Sequence, residues 1–228
     1  MKKVTSLSSG RIEGFGVRSM NRTKWIWLGL VAAFYSGFWY WYGGNGEPLG
    51  QKESSALLVQ MEQAYGRSLE EAPEGSMIRN LAEMAPVDDG KQFYAVNLER
   101  LKSGEAAEAA DRRYSELVLP LLFERGGHPV FVGDRAGLML GIYGENVDRV
   151  AVVRYRSLRD LFDIILDPAM QRGSGDKFAS LEHTEVFIVR PYISLVQVRL
   201  ITALLLAIIA IGGLALISKA QKRRANAS

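Results

Sequence analysis

The chain has no cysteine, which excludes disulfides, thiolate chemistry and Cys-based metal sites. It has only two histidines, His128 and His183, too few for a multi-His metal cage within one chain. No phosphate-binding loop is present: Gly133-Asp134-Arg135-Ala136-Gly137 lacks the Lys-Ser/Thr that such a loop needs. Charge is missing from two long stretches, 25–42 and 200–218.

The charges that do occur are segregated. The net charge of +3 over 228 residues and a pI near 9.1 suggest nucleic-acid binding at first sight. Taken by segment, that reading fails. Residues 1–24 hold six Lys and Arg against one Glu, while 43–198 hold 17 Lys and Arg against 24 Asp and Glu. Lys219, Lys222, Arg223 and Arg224 form a second basic tail. The central domain is therefore acidic and repels phosphate backbones, so no nucleic-acid partner is expected.

The uncharged stretches read as membrane helices. Residues 25–42 (WIWLGLVAAFYSGFWYWY) would span about 27 Å as a helix, close to the hydrocarbon core. All four Trp lie here, grouped at both ends like the aromatic belts of a span. Gly29, Ala33 and Gly37 form a small-residue stripe that would admit another helix. The rival reading, a cleaved signal peptide, lacks an Ala-x-Ala site. Residues 200–218 (LITALLLAIIAIGGLALIS) read as the second span. Ten Lys and Arg lie in the two tails, so positive charge places both termini in the cytoplasm. The expectation is a two-pass protein of the cytoplasmic membrane, in contact with membrane lipid, with an extracytoplasmic domain.

The expected organisation is a basic tail (1–24), a span (25–42), a linker with helical extension (43–90), an α+β domain (91–190), a span (200–218) and a basic tail (219–228). Within 54–84 the pattern predicts two helices broken near Glu71-Ala72-Pro73-Glu74-Gly75. Strands are predicted at 92–98, 129–143 with an interruption at 133–137, 149–155 and 184–189. Helices are predicted over 105–124 and from Leu158, where Ser157 and Asp160 have the form of a capping box. The order β-α-β-β-α-β is the ferredoxin-like unit, a four-stranded antiparallel sheet with helices on one face. Its other face is left bare and partly apolar, so a second copy is expected to cover it.

Several runs carry a resemblance: Tyr94-Ala95-Val96-Asn97-Leu98, Arg113-Tyr114, Glu124-Arg125-Gly126-Gly127, Val130-Phe131-Val132-Gly133, Asp148 through Ser157, Asp167-Pro168 and Ala179-Ser180-Leu181-Glu182. In this order, over about 91–190, they resemble a small bacterial family of unknown function in the dimeric α+β barrel superfamily. That family has Pro between the Tyr and Ser where Arg156 stands here, and the two spans are additions to it. The resemblance implies a dimeric barrel. The superfamily includes cofactor-free monooxygenases, haem-degrading enzymes and proteins without known catalysis.

The candidate ligand contacts are Asn97, Tyr114, Arg154, Tyr155, Arg156 and His183. Asn97 interrupts an apolar strand, where its amide could orient a ligand or satisfy a neighbouring loop. Arg154 and Arg156 share a strand face beside Tyr155 and could clamp a carboxylate or phosphate. They could equally pair with Asp148, Asp160, Asp163 or Glu182. His183 could serve as a general base. Tyr65, Tyr94 and Tyr114 read as packing residues, Tyr114 being also a candidate cavity contact. Catalytic residues cannot be assigned, and neither a metal nor a cofactor is expected. The leading expectation is a binding or assembly role, with a homo-oligomer formed through the sheet face and a membrane-protein partner as the other candidate association. The alternative is a small-molecule enzyme, cofactor-free and oxygenase-like, marked by a closed cavity lined by Asn97, a Tyr and an Arg or His and excluded by a sheet face packed solid with Leu, Val and Phe.

Overall fold

A computed structural model describes residues 20–193 and 197–226. The chain forms two compact units, one holding the chain to Phe34 and from Ala203 onward, the other Tyr35–Thr202. Each is considered by itself.

The first unit consists of parts of two helices, α1 (Arg22–Gly43) and α7 (Val198–Ala225). Trp27 Nε1 donates to Ala210 O at 3.3 Å. Gly213 makes room for that indole: a Cβ there would come within 2.8 Å of Trp27 Cζ2. Among the described residues nothing packs on the glycines of the expected stripe, since a Cβ at Gly29 or Gly37 would meet nothing within 4 Å. Among the described residues only α7 is long and apolar enough to cross a membrane, and none of its apolar window is buried. The sequence led us to expect two such helices. Helix α1 falls short because Trp and Tyr, with their polar tips, replace aliphatic residues at both ends.

The second unit is an α+β domain. Helices α2 (Gln51–Tyr65) and α3 (Met77–Met84) precede strand β1 (Phe93–Leu101). Then come α4 (Glu105–Glu124), β2 (His128–Asp134), β3 (Arg149–Tyr155), α5 (Leu158–Ile165), α6 (Pro168–Ser180) and β4 (Leu181–Val189). The sheet order is β2-β3-β1-β4 and every pairing is antiparallel, compatible with the ferredoxin-like arrangement.

Two differences from expectation have local causes. Strand β2 ends at Asp134, and Tyr143–Asn146 is a 3₁₀ turn. The apolar residues Leu138 to Tyr143 therefore lie in an exposed loop. A helix absent from the expected order, α6, follows α5. Asp167 caps it by accepting from Ala169 N at 2.8 Å, with Pro168 in the first turn, where its missing N–H costs nothing. Two glycines make Gln171-Arg172-Gly173-Ser174-Gly175 a poor helix by propensity. Packing overrides propensity here: Gly173 lacks the side chain that would collide with Leu117 of α4.

The N-cap half of the expected capping box is formed, and the Ser157 hydroxyl donates to Asp160 Oδ2 at 2.6 Å. Ser157 Oγ accepts from Asp160 N at 3.2 Å, opening α5. One core joins Leu49, Met61, Ile78, Leu81 and Ala85 to Phe93, Leu158 and Phe162. The segment before the sheet is thus packed into the domain, and Tyr65 donates its hydroxyl to Ile165 O at 2.8 Å.

Candidate functional site

Alternation along the strands sorts the candidate residues onto two faces. Asn97 and Glu99 of β1 and Arg149, Ala151, Val153 and Tyr155 of β3 point toward α4 and α6. Tyr94, Val96, Leu98, Val150, Val152 and Arg154 point the other way.

On the helix side lies a cavity of about 220 Å³. Asn97, Tyr114 and Tyr155 all line it, together with Glu99, Asp111, Arg149 and Lys177. Asn97 is buried, and its Nδ2 donates to Ala95 O at 3.3 Å and Ala151 O at 3.1 Å. This fixes the amide so that Oδ1 is the acceptor offered inward. Arg149 donates through Nε to Glu99 at 2.7 Å and through both terminal nitrogens to Asp111 at 2.7 and 2.8 Å. The hydrogen bond from Arg149 holds the Asp111 carboxyl below its ordinary range. Burial pushes the Tyr114 hydroxyl up, and that of Tyr155 up to about 12. Both phenols therefore stay protonated at neutral pH.

Lys177 is one of the cavity residues that sequence reasoning missed, with Glu99, Asp111 and Arg149. Its Nζ lies 3.4 Å from Asn97 Oδ1 and 5.7 Å from the centre of the Tyr114 ring. No carboxylate among the described residues pairs with it. Burial holds its amine below the ordinary lysine range; Glu99 opposes that and Arg149 adds to it. The only available signal was its four-residue spacing from Gly173 on one helix face, and that requires α6 to be known first.

Arg154 and Arg156 stand elsewhere, at the C-terminal end of α1. Arg154 is 1% exposed. It donates to Gln92 Oε1 at 2.9 and 2.7 Å, to Tyr42 O at 2.9 Å and to Gly126 O. Its guanidinium also lies 3.8 Å from the centre of the Tyr42 ring. Arg156 donates to Trp41 O at 2.8 Å and pairs with Asp160. Two arginines thus meet the last carbonyls of a helix, where cations oppose the partial negative charge. Trp41 Nε1 donates to Glu124 O at 3.1 Å, and the Tyr42 hydroxyl lies 3.1 Å from His128 Nε2. Gly126 has φ +68°, and a Cβ there would come within 2.6 Å of Trp41 O, so glycine is required on both counts.

His183 lies on the opposite sheet face, in a second half-open pocket with Leu98, Arg100, Tyr143 and Glu185. The structure therefore gathers Asn97, Tyr114 and Tyr155 in one cavity and keeps Arg154, Arg156 and His183 apart from it. Among the described residues no group of three or more His, Asp or Glu could hold a metal ion.

No family model matches the chain. No curated protein matches it either. Among solved structures, the chain is similar to a protein of unknown function from Rhodopseudomonas palustris at 20% identity and TM-score 0.46, over 51% of this chain and 94% of that one. It is also similar to a hydroxynitrile lyase from Passiflora edulis at 13% identity and TM-score 0.35, over 46% and 98%. An uncharacterised NIPSNAP domain protein from Burkholderia xenovorans is similar at 12% identity and TM-score 0.34, over 43% and 93%.

Proposed function

We propose that the protein is a two-pass membrane protein whose extracytoplasmic, ferredoxin-like domain binds a second copy of itself through the uncovered sheet face. The exposed apolar character of that face carries the reading. Phe131 is 57% exposed and Phe187 45%, and Val152 and Val96 are their cross-strand partners. The face continues into the loop from Leu138 to Tyr143, where Met139 and Tyr143 are almost fully exposed. This loop adjoins Arg149, the end of β3 opposite Arg154 and Tyr42. It therefore lies at the far end of the sheet from the helix end, which favours a protein occupant over lipid. A copy held in the same membrane meets its twin at high effective concentration, so a modest interface suffices.

Both termini are assigned to the cytoplasm in this reading. The apolar length of α7 and the basic tails support it, and the acidic domain between the helices fits the other side. The test is the mass of the full chain in detergent micelles by light scattering. The wild type should be a dimer, and Phe131→Asp with Phe187→Asp should weaken it at least about tenfold through two buried, unpaired charges. A monomeric wild type that also fails to crosslink in membranes sinks the reading. Crosslinking to a different membrane protein would put that protein in place of the second copy.

The cavity supports a second reading, as a small-molecule site. Asn97, Tyr114, Tyr155 and Arg149 line one half-open pocket, a concave site of the kind small molecules use.

A further inference from the structure

Lys177 is not accounted for by the tether or by the sheet face. Lys177 is half-buried, and a lysine withdrawn from water normally answers a carboxylate, because an unpaired charge there is costly. Here both carboxylates of the cavity, Glu99 and Asp111, are taken by Arg149. Lys177 Nζ is left with an amide oxygen at 3.4 Å and an aromatic ring, beside about 220 Å³ of free space. The groups facing it are Glu99 from β1, Arg149 and Tyr155 from β3, and Asp111 and Tyr114 from α4. Desolvation and a neighbouring cation are the two conditions under which a lysine amine becomes a nucleophile.

We propose that the cavity takes a small aldehyde or ketone and that Lys177 Nζ condenses with its carbonyl carbon to form a Schiff base. The inference rests on reading the cavity as a ligand site. The neutral amine adds its lone pair to the carbonyl carbon, and the carbonyl oxygen gains a proton, giving a carbinolamine. The C–O bond then breaks, water leaves and C=N forms. One carbonyl and one primary amine give one imine and one water, with no oxidant or reductant. The lowering of the Lys177 pKa by burial favours this step, since it leaves more neutral amine near pH 7 than an ordinary lysine has. The cavity is smaller than the roughly 300 Å³ at which drug-sized sites begin, which limits the carbonyl compound to a few carbons.

The full chain in detergent micelles is incubated at pH 7 with propanal and, separately, pyruvate, in the presence of cyanoborohydride. Reduction turns any imine into a stable secondary amine, located by peptide mass mapping. Lys177 should be labelled by at least one probe at least about tenfold faster than Lys52, Lys91 and Lys102, which serve as internal references. Lys177→Arg keeps the charge, cannot form the imine and should lose that label alone. Labelling of Lys177 no faster than the references, with either probe, overturns the proposal. If a probe still raises the melting temperature in that case, the lysine chemistry falls and the cavity remains a binding site. If neither probe labels Lys177 or shifts the melting temperature, both readings fall.

Discussion

Arg149 holds two carboxylates with one fork, and the energetics of the cavity wall turn on it. Glu99 is nearly buried and Asp111 about a quarter exposed. Removing the cation leaves both acids without their partner in a space that water solvates poorly. Breaking a fully buried pair costs about 3–5 kcal/mol, and the exposure of Asp111 brings the expected loss for Arg149→Met to about 2–3 kcal/mol. For a chain of this size that lowers the melting temperature by roughly 5–10 °C. The sign of the pH dependence follows from Asp111, whose folded-state pKa lies below its unfolded value. Its contribution is in place above the ordinary carboxyl pKa of about 4 and is lost as pH falls through the folded value. The gap between wild type and Arg149→Met should therefore narrow below about pH 4. A gap independent of pH would mean that the pairing adds nothing beyond packing.

At the scale of elements, the end of α1 is built into the domain rather than merely attached to it. Arg154 binds three partners at once with a planar fork, so a lysine cannot replace it. Arg154→Lys should cost about 2 kcal/mol, given that hydrogen bonds from charged groups contribute about 1.5–3 each. Hydrogen exchange locates the loss: the Gly44 amide, which donates to Tyr40 O at 2.8 Å, should exchange at least about tenfold faster. Amides in the middle of α4 should not change. Uniform acceleration throughout the domain would argue instead for a general loss of packing. The partners of Arg154 lie 28, 62 and 112 residues earlier in the chain, which is why no local pattern revealed them. Alternation along β3 puts Tyr155 on the face opposite Arg154, but it does not say which face holds a cavity. The helix Glu105–Glu124 and the strand Arg149–Tyr155 were legible to the residue, because periodicity and glycine stops agree there. Helix α6 was not legible, since its polar, glycine-containing sequence forms a helix only against α4. Lys177 was hidden with it.

For the whole molecule, the proposed two-pass topology rests on the lengths and compositions of two helices. Helix α7, at 28 residues, is about 42 Å long, enough for the roughly 30 Å of a hydrocarbon core with its basic turn to spare. Helix α1, at 22 residues, is about 33 Å long, enough to cross, but its Trp and Tyr rings favour the interface. Those rings sit at both ends with Leu, Val, Ala and Phe between them, the distribution of a spanning helix. A helix lying in the interface would instead put them along one side. The absence of native cysteine allows a direct test by single introduced thiols. In spheroplasts of a bacterial expression host, a membrane-impermeant maleimide should label Asp134→Cys, which lies on an exposed strand end. Met20→Cys and Ala220→Cys should be protected until the membrane is permeabilised. If Met20→Cys is labelled from outside while Ala220→Cys stays protected, α1 does not cross and α7 alone anchors the protein. Protection of Asp134→Cys with labelling of Ala220→Cys reverses the orientation, and the placement of the acidic domain falls with it.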